Sequence, residues 1–158
     1  MNAELVSDDH VANRKVCVID SGYDMGHEDL PVDVTDNTGS LITGTSFVPG
    51  FDWSTDENSH GTHVTGTIVA LGDNGKGVKG VIRNGNLKLH IAKVFDASGS
   101  TSCSTLIDAI EDCVANDANV INMSLGGSSP CPSMDEAIAD AYNDDDIITF
   151  AASGNSYC

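Results

Sequence analysis

The amino-acid sequence predicts an α/β domain, a doubly wound, mostly parallel sheet with helices on both faces. Three observations predict it. Apolar runs of strand length alternate with segments of helical period along the chain. The runs are continuous rather than alternating, as strands buried on both faces are. Polar residues gather where the runs end: Asp20, the turn Ser124-Leu125-Gly126-Gly127, and Gly154-Asn155. In open α/β sheets the ligand lies beyond the carboxyl ends of the strands, so these ends predict a site. A chain of 158 residues, 40% hydrophobic, reads as one domain over 1–158, without internal repeat, low-complexity tract or linker.

The elements follow in order. KVCVID, 15–20, is a buried strand that presents Asp20 at its carboxyl end before the turn SGYDMG. LITGTSFV, 41–48, is a weaker strand. A helix runs from His60 to about Leu71, with His63, Thr67, Ala70 and Leu71 near one face, and GDNGKG, 72–77, breaks it. LKLHIAKVF, 87–95, is β-rich. The segment 104–116 places Leu106, Ile110, Cys113 and Val114 on one helical face, with Ser104 as its N-cap. NVINMSL, 119–125, is a buried strand. The helix 133–143 opens with Ser133 three residues before Glu136, a capping-box pattern. IITFAASGN, 147–155, reads as a last buried strand.

The charge balance is acidic: 7 Lys+Arg stand against 24 Asp+Glu, a net charge of −17. Nucleic acids and anionic membrane surfaces select basic patches, so neither is expected as a partner. A solvated acidic surface that tolerates salt or takes up cations is. No apolar run approaches the ~18 residues that span a bilayer, and no basic-then-apolar leader is visible. The cysteines are Cys17, Cys103, Cys113, Cys131 and Cys158, in neither CxxC pairs nor zinc-like Cys/His clusters. Scattered so in an acidic domain, they point to an oxidising compartment and hence to secretion.

HGTHVTGTI, 60–68, sets two histidines three apart. They are open to three uses: metal ligands, a catalytic base with a neighbour, or core residues. No glutamate or third ligand accompanies them in the HExxH manner. An aspartate at a buried strand end orients an imidazole and stabilises the imidazolium of acyl transfer. A histidine at a helix start accepts a proton, and an asparagine at a strand end donates its amide to a developing oxyanion. Asp20, His60 and Asn155 stand in that order.

VCVIDSGYDMGHEDL together with NSHGTHVTGTIVAL resembles the Asp and His signatures of the subtilases, the subtilisin-like serine proteases. VINMSLGG and FAASGN resemble that family's substrate-binding and oxyanion segments, and the likeness runs from about residue 15 to residue 156. The resemblance implies a subtilisin-like fold and a serine endopeptidase acting on proteins or peptides through an acyl-enzyme, as a secreted monomer. Residue by residue, Asp20 matches the charge-stabilising aspartate, His60 the base and Asn155 the oxyanion amide. His63 then becomes a packing or hydrogen-bonding residue of the helix. Ser124, Leu125, Gly126 and Gly127 match one wall of the pocket before the scissile bond, and Ala152, Ser153 and Gly154 the opposite wall. Ser98, Gly99 and Ser100 match the edge segment that pairs with substrate backbone.

The family's nucleophile lies in a GTSMA-like motif well after the oxyanion asparagine, and no such motif occurs between Asn155 and Cys158. GTSF, 44–47, contains Ser46, but it precedes His60 against the family order and reads as structural. The resemblance therefore implies somewhat over half of a catalytic domain, incomplete at its C-terminus and inactive by itself. A non-catalytic subtilase-like protein that binds peptides along 98–100 and 124–127 is the alternative.

Subtilases commonly bind calcium near a loop interrupting the catalytic-histidine helix, and GDNGKG occupies that place. By resemblance Asp29 and Asn74 are ligands of a structural Ca²⁺, against an ordinary Gly-rich turn. Cys17 and Cys113 read as buried thiols. The resemblance puts the segments of Cys103 and Cys131 on the same cleft, and the two are expected to pair and stiffen it, leaving Cys158 for a partner further on.

Overall fold

The computed structural model describes residues 7, 11, 13–32, 35–36, 39–127 and 129–155. Its elements, in chain order, are β1 (Lys15–Asp20), β2 (Thr35–Asp36), β3 (Gly39–Ser40), β4 (Ile42–Ser46), α1 (His60–Val69), β5 (Lys88–Lys93), α2 (Cys103–Ala115), β6 (Val120–Met123), α3 (Pro132–Asp145) and β7 (Ile148–Ala151). Five strands form one sheet in the order β4-β5-β1-β6-β7, every pair parallel. The expected doubly wound α/β architecture is what the chain adopts. β2 and β3 form a small antiparallel pair apart from it.

Burial explains why the strands lack polar alternation. Cys17 and Ile19 of β1 and Ala92 of β5 join Ala109, Ile110 and Cys113 of α2 in one core. The intervening residues, Val18, Leu89 and Ile91, turn to the other face and pack with Val69 and Ala70 at the end of α1. Both faces of the central strands are thus covered, as parallel sheets require.

Four expectations are corrected. The helix after His60 does not bury His63 or Thr67, which are exposed; its buried residues are Gly61, Thr65, Gly66 and Val69. The reason is backbone approach: a Cβ on Gly61 would stand 2.4 Å from the Gly22 carbonyl oxygen, and hydrophobic period does not register glycine. The cap of α2 is Ser102, not Ser104; its hydroxyl accepts from the Thr105 N–H at 3.1 Å. In α3 the Ser133 capping box does not form. Pro132 takes the first helical position after Cys131, where its fixed φ and missing N–H fit, and Ser133 falls inside the helix. Lastly, β7 is not buried among the described residues: it is the last strand of their sheet, with Ile148 50% and Phe150 59% exposed.

The Sγ atoms of Cys17 and Cys113 are bonded, across 5.7 Å between Cα atoms. The sequence reading of two separate buried thiols is wrong because β1 and the core face of α2 meet at these two side chains, within disulfide reach. Cys103 and Cys131 are bonded as well, joining the first residue of α2 to the residue that precedes α3. Cys158 lies outside the described residues.

Candidate active site

Asp20 closes β1 with its side chain fully buried, while His60 opens α1 with its side chain half-exposed. His60 Nδ1 lies 2.8 Å from Asp20 Oδ1 and 3.0 Å from Oδ2. A carboxylate has no proton to donate, so Nδ1–H is the donor and Nε2 is left as the free basic nitrogen. The Ser21 N–H donates to the same Oδ1 at 2.7 Å, which fixes the carboxylate from the strand side.

One hollow opens at this pair and two others adjoin it through shared lining residues. One of about 190 Å³ is lined by Asp20, Ser21, Asn58, His60, Phe95, Gly99, Ser124, Leu125 and Gly126. A second, about 390 Å³, lies between Ser124–Gly127 and Ala152, Gly154 and Asn155. The third, about 660 Å³, is mostly apolar and runs past Ser100, Cys103, Leu106, Leu125, Cys131 and Met134. The structure thus brings Asp20, His60, Gly99, Ser100, Ser124, Leu125, Gly126, Gly127, Ala152, Gly154 and Asn155 to one continuous cleft. Ser98 and Ser153 are exposed and line none of these hollows. Ser98 is folded into a turn, its N–H donating to Asp96 Oδ1 at 2.8 Å.

Ser46 is remote from the cleft. Its hydroxyl and the Val48 backbone bond each other at 3.3 Å, and β5 separates its strand from β1. A second histidine–aspartate pair shows what burial decides. His90 Nε2 lies 2.7 Å from Asp112 Oδ2 and its Nδ1 lies 2.8 Å from the Thr43 hydroxyl. At 1% exposure His90 meets no solvent, and the cluster ties α2 to β4 and β5 rather than presenting a base.

Sequence reasoning missed two residues beside the pair. Lys93 ends β5 next to Asp20 and is fully buried. Its ammonium donates to the Ser21 carbonyl, to the Thr55 carbonyl at 3.1 Å and to Glu57 Oε2 at 2.7 Å. The other is Asp56. Burial pulls its carboxyl up, but hydrogen bonds from Thr62, Ser21 and Ser59 more than offset this and hold it below its ordinary value of 3.8. A depressed folded pKa contributes stability that is fully present above the unfolded value and is lost as pH falls through the folded one. The melting temperature of Asp56→Asn is therefore expected to lie below wild type at pH 6, with the gap narrowing below about pH 4; calorimetry at both pH values checks it. An Asp four residues before His60 was the available signal, since acidic residues favour helix starts.

The subtilase-family profile matches residues 12–157. The chain belongs to the subtilase family. It is 43% identical over 145 residues to subtilisin DY of Bacillus licheniformis, covering 92% of this chain and 48% of that protein. It is 41% identical over 145 residues to subtilisin E of Bacillus subtilis (strain 168), covering 91% of this chain and 35% of that one. The crystal structure of a psychrophilic subtilisin-like protease from the Antarctic Pseudoalteromonas sp. AS-11 superposes with a TM-score of 0.82 at 42% identity, over 97% of this chain and 34% of that one. This subtilase chain thus spans about half the length of subtilisin DY and about a third of the other two. No helix among the described residues is long and apolar enough to cross a membrane.

Proposed function

We propose that this chain is the Asp- and His-bearing part of a subtilisin-type serine endopeptidase that cleaves proteins or peptides through an acyl-enzyme. The observation that carries it is His60 Nδ1 at 2.8 Å from a fully buried Asp20, in a cleft continuous with Asn155. Asp20 holds the imidazole in the tautomer that frees Nε2 and stabilises the imidazolium formed when Nε2 takes the nucleophile's proton. The Asn155 amide donates to the oxyanion of the tetrahedral intermediate. The walls at 124–127 and at Ala152 and Gly154 accept the residue before the scissile bond. The nucleophilic serine comes from outside these 158 residues, so by themselves they are inactive. In the full-length protein, a fluorophosphonate is expected to label one serine, and the label is expected to disappear in His60→Ala. Labelling that survives the substitution would sink the proposal.

The same reading includes secretion, supported by the two disulfides, and a structural calcium. Asp29 is 3% exposed, and Asn74 Nδ2 donates to its Oδ1 at 2.9 Å while the Val78 N–H donates to Oδ2 at 2.7 Å. These hydrogen bonds hold the carboxyl below its ordinary value, as an anion. An anionic carboxylate beside an amide suits a hard cation, which takes oxygen ligands; Asp29 and Asn74 would hold it, with the Asn74 Oδ1 that now accepts from the Lys76 N–H at 3.0 Å turned to the ion, and it would brace the loop against α1. Excess EGTA is expected to lower the melting temperature of the full-length protein by several degrees, as removal of a ligand bound well above its Kd does. An unchanged melt would remove calcium from the picture.

A further inference from the structure

The N-terminus of α1 is capped in an unusual way. Ser59, the residue before the helix, has φ 70° and makes no side-chain cap bond. The first-turn N–H groups are met instead from two other places. The Thr62 N–H donates to Asp56 Oδ2 at 2.8 Å, and the Gly61 N–H donates to the Ser21 hydroxyl oxygen at 2.9 Å. These acceptors are themselves joined, because the Ser21 hydroxyl donates to Asp56 Oδ1 at 2.8 Å.

Asp56 therefore faces both halves of the His60–Asp20 pair. On the helix side it also accepts from the Thr62 hydroxyl at 2.6 Å and from the Ser59 N–H at 2.9 Å. On the strand side it holds Ser21, whose own N–H fixes Asp20 Oδ1. Thr62 makes a further link, since its hydroxyl oxygen accepts from the Asp24 N–H at 3.0 Å. Asp56 makes no hydrogen bond to His60 or Asp20, yet with Ser21 it makes most of the hydrogen bonds that tie the first turn of α1 to the Ser21 turn; the Thr62–Asp24 bond is the other tie.

We propose that Asp56, acting through Ser21 and Thr62, is a positioning residue that sets the distance and angle between His60 and Asp20. This rests on the reading of that pair as the base and its orienting carboxylate. An asparagine keeps the shape of Asp56 but has one acceptor atom instead of two. It cannot receive the Ser21 hydroxyl, the Ser59 N–H and both Thr62 donors together. The first turn of α1 then loses part of its tether, and a misplacement of about an ångström is enough to slow the reaction by about 100-fold.

The test uses the full-length protein with Asp56→Asn, Asp56→Ala and Ser21→Ala, and Asp52→Asn as a control. Asp52 caps the same loop through Ser54 at 2.9 Å but has no link to Ser21 or α1. Two readouts are taken: kcat and KM on a chromogenic peptide, and the low-field proton resonance of His60 Nδ1–H. Expected is a 10- to 100-fold lower kcat in Asp56→Ala, with KM changed by less than about 2-fold. Asp56→Asn is expected to lie between it and wild type, Ser21→Ala to move in the same direction, and the low-field resonance to shift or broaden in step. Should Asp56→Ala fail to fold, Asp56→Asn and Ser21→Ala carry the test. An unshifted resonance with wild-type kcat in both would overturn the inference while leaving the protease reading intact. A shifted resonance in a full-length protein that cleaves nothing would keep the positioning role and reject the protease.

Discussion

Replacing His60 with alanine in the full-length protein is expected to lower kcat on any peptide substrate by about 10⁶-fold, and Asp20→Asn by about 10⁴-fold. Those magnitudes belong to serine-protease triads as a class, subtilisin among them. What this structure contributes is the reason the two losses differ. In the proposed mechanism His60 Nε2 is the group that moves the proton, so its loss removes the step. Asp20 acts on Nδ1 at 2.8 Å, and an asparagine there keeps the contact but offers its N–H₂ as readily as its oxygen. The imidazole then turns its proton to Nε2, where the base is needed, and the developing imidazolium loses its counter-charge. Asp20→Asn should consequently recover activity at high pH better than His60→Ala, which has no base to unmask. Steady-state rates across pH 6–10 measure this, and equal, pH-independent losses in both variants would refute the assigned roles. His63→Ala supplies the contrast. His63 is exposed on α1, away from Asp20, and its loss should leave kcat within a few-fold of wild type.

The His60–Asp20 pair could be seen in the sequence because each member sits at the end of an element. Asp20 ends a continuous apolar run and His60 begins a helix, so a strand-end rule and a residue pattern suffice to place both. The cleft residues 124–127, Gly154 and Asn155 were visible for the same reason. What stayed hidden acts through loops or through contacts distant in sequence. Asp56 lies four residues ahead of His60, inside a turn whose bonds to Ser21 bridge 35 positions, and no local pattern encodes that. Lys93 sits within an apolar run, where a lone lysine reads as a strand end; only the fold reveals that it is buried against Glu57 and two carbonyls. The buried face of α1 was misjudged because Gly61 and Gly66 make it. β7 was misjudged because a plain apolar run does not say which strand of the described sheet lies outermost. That same plainness hid the bond from Cys17. In a run buried on both faces, sequence does not say which face residue 17 takes, and only the face toward α2 reaches Cys113.

That bond carries the largest expected effect on stability. Cys17 and Cys113 are 96 positions apart, against 28 for Cys103 and Cys131. In the chain-entropy account a cross-link stabilises by restricting the unfolded chain, about 4–5 kcal/mol for the longer loop and about 1 kcal/mol less for the shorter. Paired alanine replacement of Cys17 and Cys113 is therefore expected to lower the melting temperature by about 10–15 °C, and that of Cys103 and Cys131 by somewhat less. The two also differ in access. Cys17 and Cys113 are both 0% exposed in the core between β1 and α2, whereas Cys103 is exposed at the start of α2. Thiolate attack on a disulfide requires approach to sulfur, so dithiothreitol under native conditions should open Cys103–Cys131 first. Alkylation followed by peptide mapping should find label at 103 and 131 within minutes, and at 17 and 113 only as the protein unfolds. Label appearing at all four positions together would mean that the native state opens between β1 and α2 far more readily than a bond buried in its core allows.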